Sequence, residues 1–274
     1  MAIVFLVLFL VGGCTPRSGE NDFVTLPVGA ALPSGKECAA RIRRDQREPW
    51  PENTSANYFV PGRVSMPIWD DFTEQANRQF VPRIDGEFTG TTGEILTWGA
   101  CKWGLDADIV RAVAVQESHW LQSTVSDESD NARDCVGGAT PPCPTSFGIM
   151  QLKHTYLPGS YPLSQRSTAF NVDYYGARTR ACYEGWVTYL GSDYGPGDVW
   201  HCVGWHWSGQ WKDAGSLHYI QRVRRYLDSK PWLDWTVGRC TPHEPVRNSV
   251  TAARPAGGLP LFWVMCPEPG TTTR

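Results

Sequence analysis

The sequence predicts a mainly α-helical protein with irregular, disulfide-strapped tails. Three observations carry that expectation. Apolar residues recur at spacings of three and four in four segments between residues 67 and 227, the period of helices that bury one face. Hydrophobic residues make up 41% of the 274-residue chain, enough for one sizeable core. Both ends are rich in Pro, Gly and charge without sustained periodicity, yet they carry cysteines that can pin them.

From the start of the chain, residues 1–10 are almost wholly apolar and the run ends at Val11-Gly12-Gly13-Cys14. Ten residues are too few to span a bilayer, which takes roughly 20, so the segment reads as an export signal. The small residues before Cys14 resemble a bacterial lipobox, which implies cleavage before Cys14 and a lipid on its sulfur. The other reading is an ordinary secretory signal with Cys14 left as a thiol. Cysteine arithmetic favours the lipid: of nine Cys, commitment of Cys14 leaves eight, Cys38, Cys101, Cys135, Cys143, Cys182, Cys202, Cys240 and Cys266, for four disulfides in an oxidising compartment. Cys135–Cys143 and Cys182–Cys202 are the pairs that the intervening lengths favour.

Residues 1–13 are thus expected to be a lipoprotein-type signal and 14–60 a membrane tether partly pinned by Cys38. Helices follow over 67–80, with Trp69, Phe72, Ala76 and Phe80 on one stripe, and over 94–103. Asp106 is a good N-cap for a helix over 107–120, where Asp108 complements the positive helix end. Residues 123–145 form a long polar stretch read as a loop, with Cys135 and Cys143 inside it. The next helix is expected over 171–190, with Val172, Tyr175, Cys182, Trp186 and Tyr189 aligned. Two more are expected over 198–208 and 216–227, the last with Leu217, Ile220, Val223 and Leu227 inward and Arg222, Arg224 and Arg225 outward. The main domain is therefore placed at 61–230 and a Pro-rich C-terminal strap at 231–274, where Cys240 and Cys266 tie the chain to itself or to the body.

Net charge is only −3, without the basic excess of nucleic-acid binders, so no nucleic-acid partner is expected. The six His show no His-Glu-x-x-His spacing and the Cys no Cys-x-x-Cys pairs, so neither a metal nor another cofactor is expected. A phosphate-cradling glycine loop is also lacking. Thirteen Trp and ten Tyr are many, and such amphipathic rings suit flat sugar faces as well as packing.

On the helix over 107–120, Ile109, Val113 and Glu117 fall at i, i+4 and i+8, which puts a carboxyl on an aliphatic stripe. Burial there disfavours the charged form, the condition for a general acid near neutral pH. Glu117 sits in Gln116-Glu117-Ser118-His119-Trp120, which resembles the Glu-Ser motif of family 1 lytic transglycosylases, the soluble-transglycosylase or goose-lysozyme-like group. Ser146-Phe147-Gly148-Ile149-Met150-Gln151 is similar to that family's Gly-Leu-Met-Gln turn. Ala169-Phe170-Asn171-Val172, followed by Gly176, resembles the start of its next long helix. Tyr219-Ile220-Gln221-Arg222-Val223 is similar to its closing helix motif, whose Tyr lies near the catalytic Glu. The four motifs stand in the family's order over roughly residues 95–227.

The resemblance implies a lysozyme-like, two-lobed helical domain with a cleft and Glu117 at its base as the single catalytic acid and base. It implies cleavage of the β-1,4 bond between N-acetylmuramic acid and N-acetylglucosamine with formation of 1,6-anhydromuramoyl ends. Peptidoglycan glycan strands are then the partner, the membrane is reached through the lipid anchor in the cell envelope, and the protein is expected to be a monomer. Ser118, Ser146, Phe147, Met150, Gln151, Asn171 and Tyr219 are expected to bind substrate or support the site. Two departures stand out. Residues 118–147 are longer than the family usually shows. Trp205-His206-Trp207-Ser208-Gly209 replaces its Ala-Tyr-Asn-Ala-Gly, so Trp207 by stacking, or His206 by hydrogen bonding, takes over the usual Tyr contacts, or both only pack. A hydrolytic muramidase of the same fold is the nearest rival, with Asp127, Asp130 or Asp134 as base for water, and a non-catalytic glycan-binding module is the other.

Overall fold

The structure, a computed structural model, describes residues 23–44 and 46–237. Five helices come first: α1 (Gly35–Arg41), α2 (Thr54–Asn57), α3 (Glu74–Gln79), α4 (Thr92–Trp103) and α5 (Ala107–Ser118). Three strands follow, β1 (Val125–Ser129), β2 (Cys143–Phe147) and β3 (Leu152–Lys153), and then α6 (Leu163–Arg166), α7 (Thr168–Tyr183), α8 (Val199–Ser208), α9 (Ala214–Ser229) and α10 (Trp232–Val237). The protein is mainly helical, as its sequence predicts.

Helix α7 is the axis of the core, buried on every side along its whole length, as expected of a helix enclosed by others rather than lying on a surface. It crosses α4 at close range because each helix offers a glycine to the other. A Cβ on Gly99 would come within 2.4 Å of Val172 Cγ1, and one on Gly176 within 2.4 Å of Trp103 Cδ1. The charges buried with α7 are answered. Asp173 accepts from Lys102 Nζ at 2.8 Å, Trp103 Nε1 at 2.7 Å and the backbone amides of Asp85 and Gly86. Arg180 donates to the Leu26, Pro27 and Gly104 carbonyls and pairs with Glu184. Removing one member of such a set would strand a buried charge, so these residues specify the packing more than they add to stability.

Helix α4 starts at a Thr91–Glu94 capping box and ends at Gly104 in the left-handed conformation. Asp106 caps α5 by accepting from the Asp108 and Ile109 amides, as the sequence predicts. Helix α5 stops at Ser118 because His119 and Trp120 adopt φ of 56° and 66°. That turn leaves Glu117 in the final helical turn, where the chain bends away.

Several expectations need correction. The helix expected over 67–80 is confined to α3, because Thr73 caps it and the Asn77 side chain grips both the amide and carbonyl of Trp69, holding the preceding residues as a loop. Trp69 and Phe72 still reach the core, so the apolar spacing reported burial rather than helix. The helix expected over 171–190 begins earlier, at the Ser167 cap, and ends at Tyr183; Gly185 then takes φ 85° and the chain runs on to pair Val187 with Phe72. The polar stretch 123–145 is not a loop throughout. Its β1 pairs antiparallel with β2, and β2 with β3, in the order β1-β2-β3. Strand β1 is almost wholly exposed, so no apolar alternation marks it, and pairing with the buried β2 fixes its conformation.

The tether expected over 14–60 is folded onto the body from Phe23 onward. Leu26 and Phe23 exchange backbone hydrogen bonds with Gly104 and Ala107, and α1 is bonded to α4 through Cys38–Cys101. Buried Asn53 bridges Thr92 and the Trp120 carbonyl. Pro- and Gly-rich composition hid an ordered segment held by polar groups and a disulfide rather than by apolar periodicity. Both favoured pairs, Cys135–Cys143 and Cys182–Cys202, are bonded. Cys14, Cys240 and Cys266 lie outside the described residues, as does the strap beyond residue 237. Its beginning is not loose: Trp232 is buried and stacks on Trp120 at 6.2 Å.

Candidate active site

A cleft of about 1040 Å³ lies between the β-sheet with its following segment and the C-terminal half of α8. Glu117 lies in it. As the helical stripe predicts, Ile109 and Val113 are buried beneath the same face of α5, and only 12% of the Glu117 side chain is exposed. One carboxyl oxygen, Oε1, accepts a hydrogen bond from the Tyr219 hydroxyl of α9. Burial pushes the Glu117 carboxyl up to about 7; the negative charge of Asp127 adds to the rise, and the Tyr219 hydrogen bond and Arg222 oppose it. A group so poised holds a proton near neutrality and can release and retrieve it. Burial beside the Glu117 charge also pushes the Tyr219 phenol well above its ordinary range, so Tyr219 stays a donor.

The turn over 146–151 forms one wall and is braced from three directions. Gly148 adopts φ 81°, and a Cβ there would collide with Asn171 Nδ2 and the Ser164 carbonyl, so only glycine fits. Asn171, at the start of α7, accepts from the Met150 amide at 2.8 Å and donates to the Phe147 and Ser164 carbonyls at 2.8 Å each. Ser118, next to Glu117, donates to the Ile149 carbonyl at 2.8 Å. Gln122 accepts from the Ile149 amide at 3.0 Å, a brace that sequence reasoning missed. Met150 and Phe147 are buried, Phe147 against His154 and Tyr161, so both support the wall from behind.

Gln151 and Ser146 reach the cleft itself. The Gln151 amide, expected to face a ligand, is already engaged: it donates to the Thr124 and Gly148 carbonyls and accepts from Ser126 Oγ at 2.6 Å. Its first duty is therefore to join β1 to the turn. Ser146 donates to Asp127 Oδ2 at 2.6 Å, and Lys153 Nζ lies 3.5 Å from the same oxygen. Asp127 thus lines the cleft and is electrostatically felt by Glu117. Asp130 and Asp134, the other two acidic candidates, are not in its lining, and Asp134 is engaged by the Ser129 hydroxyl at 2.7 Å. The long polar segment delivers one carboxylate of the three.

Helix α8 supplies the opposite wall. Trp207 is 52% exposed and lies nearly parallel to the Tyr219 ring, with centroids 6.1 Å apart and an 18° interplanar angle. Such a ring offers a flat apolar face at the cleft. His206 Nε2 is 3.0 Å from the Met150 carbonyl and 3.8 Å from Glu117 Oε1. Farther along, Arg178 forms a two-pronged pair with Asp71 and lies over the Trp69, Phe72 and Trp205 rings. The sequence reading did not place Arg178 or Asp71 in the cleft. One signal was available: Asn171, Tyr175 and Arg178 fall at i, i+4 and i+7 on α7 and so share a face.

Among the described residues no group of three or more His, Cys, Asp or Glu is arranged to hold a metal ion. Chemically, the arrangement is a protonatable carboxyl at the base of a polar and aromatic cleft, with a phenol on one oxygen and a second carboxylate at the rim. No protein-family model, curated protein or solved structure matches the chain.

Proposed function

We propose that the protein is a peptidoglycan lytic transglycosylase of lysozyme-like, two-lobed fold, with Glu117 as its single catalytic acid and base. The observation that carries the reading is the Glu117 carboxyl: shielded, held near neutrality and hydrogen-bonded by Tyr219 at a cleft of saccharide size. In the proposed reaction Glu117 gives its proton to the glycosidic oxygen as the bond from the muramoyl C1 to that oxygen breaks. The acetamido oxygen of the same sugar stabilises the cation at C1. The Glu117 carboxylate then takes the proton of the C6 hydroxyl while O6 bonds to C1, which closes the 1,6-anhydro ring and restores the acid. No protein nucleophile and no water enter the balance. Trp207 suits a sugar face, and the turn over 146–151 supplies the wall opposite it.

A hydrolytic muramidase is the second reading, favoured by one observation: Asp127 shares the cleft and its charge acts on Glu117. In that case Asp127 would hold a water for attack on C1. A purely glycan-binding role is less well supported, since a carboxyl forced towards neutrality weakens the fold and binding does not require it. The lipobox-like Val11 to Cys14 supports attachment to a membrane in the cell envelope through a lipid on Cys14, and the protein is proposed to act as a monomer. Metabolic labelling with a palmitate analogue is expected to mark the wild type and not Cys14→Ser; equal labelling of both would contradict the anchor. For the reaction, Glu117→Gln on purified sacculi is expected to abolish nearly all glycan cleavage, because the amide keeps the shape but cannot deliver a proton. Turnover close to wild type would overturn the assignment.

A further inference from the structure

His206 stands where three parts of the site meet. Its Nε2 lies 3.0 Å from the Met150 carbonyl, which can only accept, so the proton on that nitrogen points into the turn over 146–151. The same nitrogen is 3.8 Å from Glu117 Oε1. Tyr175 of α7 packs edge-on against the ring, with centroids 4.8 Å apart and an 82° interplanar angle, which fixes the ring's orientation. The side chain is 13% exposed.

We propose that His206 is a positioning residue for Glu117: an uncharged imidazole whose Nε2–H ties the turn to α8 and leaves the carboxyl without a cation on that side. The proposal rests on the reading of Glu117 as the acid. A second proton on the ring would create an imidazolium 3.8 Å from Glu117 Oε1. A charge at that range would weaken the carboxyl's hold on its proton by roughly 10- to 1000-fold, depending on the local dielectric, and so impair Glu117 as the base that must take the C6 proton.

The surroundings resist that second proton. Burial holds His206 down to about 4; the Met150 carbonyl opposes the fall and the Arg178 charge adds to it. The other groups near this face are Glu117 on α5, Tyr175 on α7, Tyr219 and Arg222 on α9, and Asp127 on β1, which acts through Glu117; Asp71 partly neutralises Arg178. Of these the carboxylates favour an imidazolium, but Asp127 is half exposed, Asp71 is committed to Arg178, and Glu117 is itself neutral whenever it can act as an acid. A histidine near a carboxylate commonly forms a charged pair; here burial and the Arg178 charge favour the neutral form, and the Met150 carbonyl sets its proton on Nε2.

The test combines imidazole nitrogen NMR of the full chain with pH–rate profiles on purified sacculi for wild type, His206→Gln and His206→Phe. Gln keeps an uncharged donor, whereas Phe keeps the ring without one. The expected spectrum is that of a neutral ring protonated on Nε2 throughout the range from about pH 5 to 8. In the rate profile, His206→Gln is expected to keep neutral-pH kcat within about threefold and to lose the wild type's acid-side fall centred near 4. His206→Phe is expected to lower kcat about tenfold or more with little change in KM, because the turn loses its tie. An imidazolium at pH 6, an acid-side fall unchanged in His206→Gln, or full kcat in His206→Phe would each overturn the proposal. The NMR measurement needs no substrate, so a chain that cleaves no glycan would be recognised as a failure of the functional reading alone.

Discussion

Glu117→Gln should make the protein more stable, and by an amount that depends on pH. An ordinary glutamate ionises near 4.5, whereas burial holds Glu117 at about 7. Between those values the unfolded chain has released this proton while the folded protein keeps it. Stability therefore falls as pH rises across that window and levels off above it, by roughly 3 kcal/mol in all. Gln does not titrate, so the variant escapes the loss. Below pH 4.5 the two proteins should differ little, because the carboxyl is neutral in both the folded and unfolded wild type. At about pH 8 the variant should be ahead by about 3 kcal/mol, or roughly 6–12 °C in unfolding midpoint for a domain of this size. The assay is thermal or urea unfolding of both proteins, disulfides intact, at half-unit pH steps. A difference constant with pH, or one that shrinks as pH rises, would refute the reasoning, since Glu117 would then not be a carboxyl held towards its neutral form.

Two further variants should move the alkaline edge of activity in opposite directions. Tyr219→Phe removes the hydrogen bond that favours the ionised carboxyl, so Glu117 should titrate at higher pH and the edge should move up; its activity should also fall, and an unmoved edge would show that the phenol does not reach the acid. Asp127→Asn removes a charge that raises Glu117, so the edge should move down while product formation persists within a few-fold; collapse of the rate would transfer the assignment to the hydrolytic reading. Asn171→Ala should cost about 3 kcal/mol in unfolding, three buried hydrogen bonds at about 1 kcal/mol each, and lower cleavage without displacing either edge of the pH profile. Unchanged stability in that variant would mean that the turn over 146–151 is braced by Ser118 and Gln122 alone.

What could be read in the sequence was set by whether a feature is local. The Asp106 cap and the Ile109–Val113–Glu117 stripe depend on neighbours along one helix, and they are found as expected. On α9, Ile220 and Val223 face inward as expected, but Leu217 is 41% exposed and Leu227 only partly buried, because the buried face is completed by Ser216 and Tyr219 instead. The meeting of Glu117 with Tyr219 joins residues 102 apart in sequence, and neither spacing nor burial on its own α-helix points to it; only the resemblance did. Features stabilised across the chain were misread. Strand β1 shows no alternation because it is exposed and held by its partner strand. Residues 67–73 mimic a helix because Trp69 and Phe72 are buried for packing, while Asn77 holds the backbone as a loop. The segment before α2 looked like a tether because the apolar residues that attach it, Phe23, Leu32, Cys38, Ile42 and Trp50, follow no helical or alternating period, and the buried Asn53 and part-buried Glu48 side chains supply the rest. In the cleft, Asp127 could be named among three acidic candidates, but its selection needed the register of β1 on β2, which sets it beside Ser146.

The most direct test of the central claim is mass spectrometry of the muropeptides and glycan ends released from purified peptidoglycan by the wild-type protein. An anhydromuramoyl end and a reducing end differ by one water, so a single spectrum separates the two chemistries. The account predicts 1,6-anhydromuramoyl ends as the main product, absent with Glu117→Gln. Predominantly reducing muramic ends, or no glycan cleavage by the wild type at all, would contradict it.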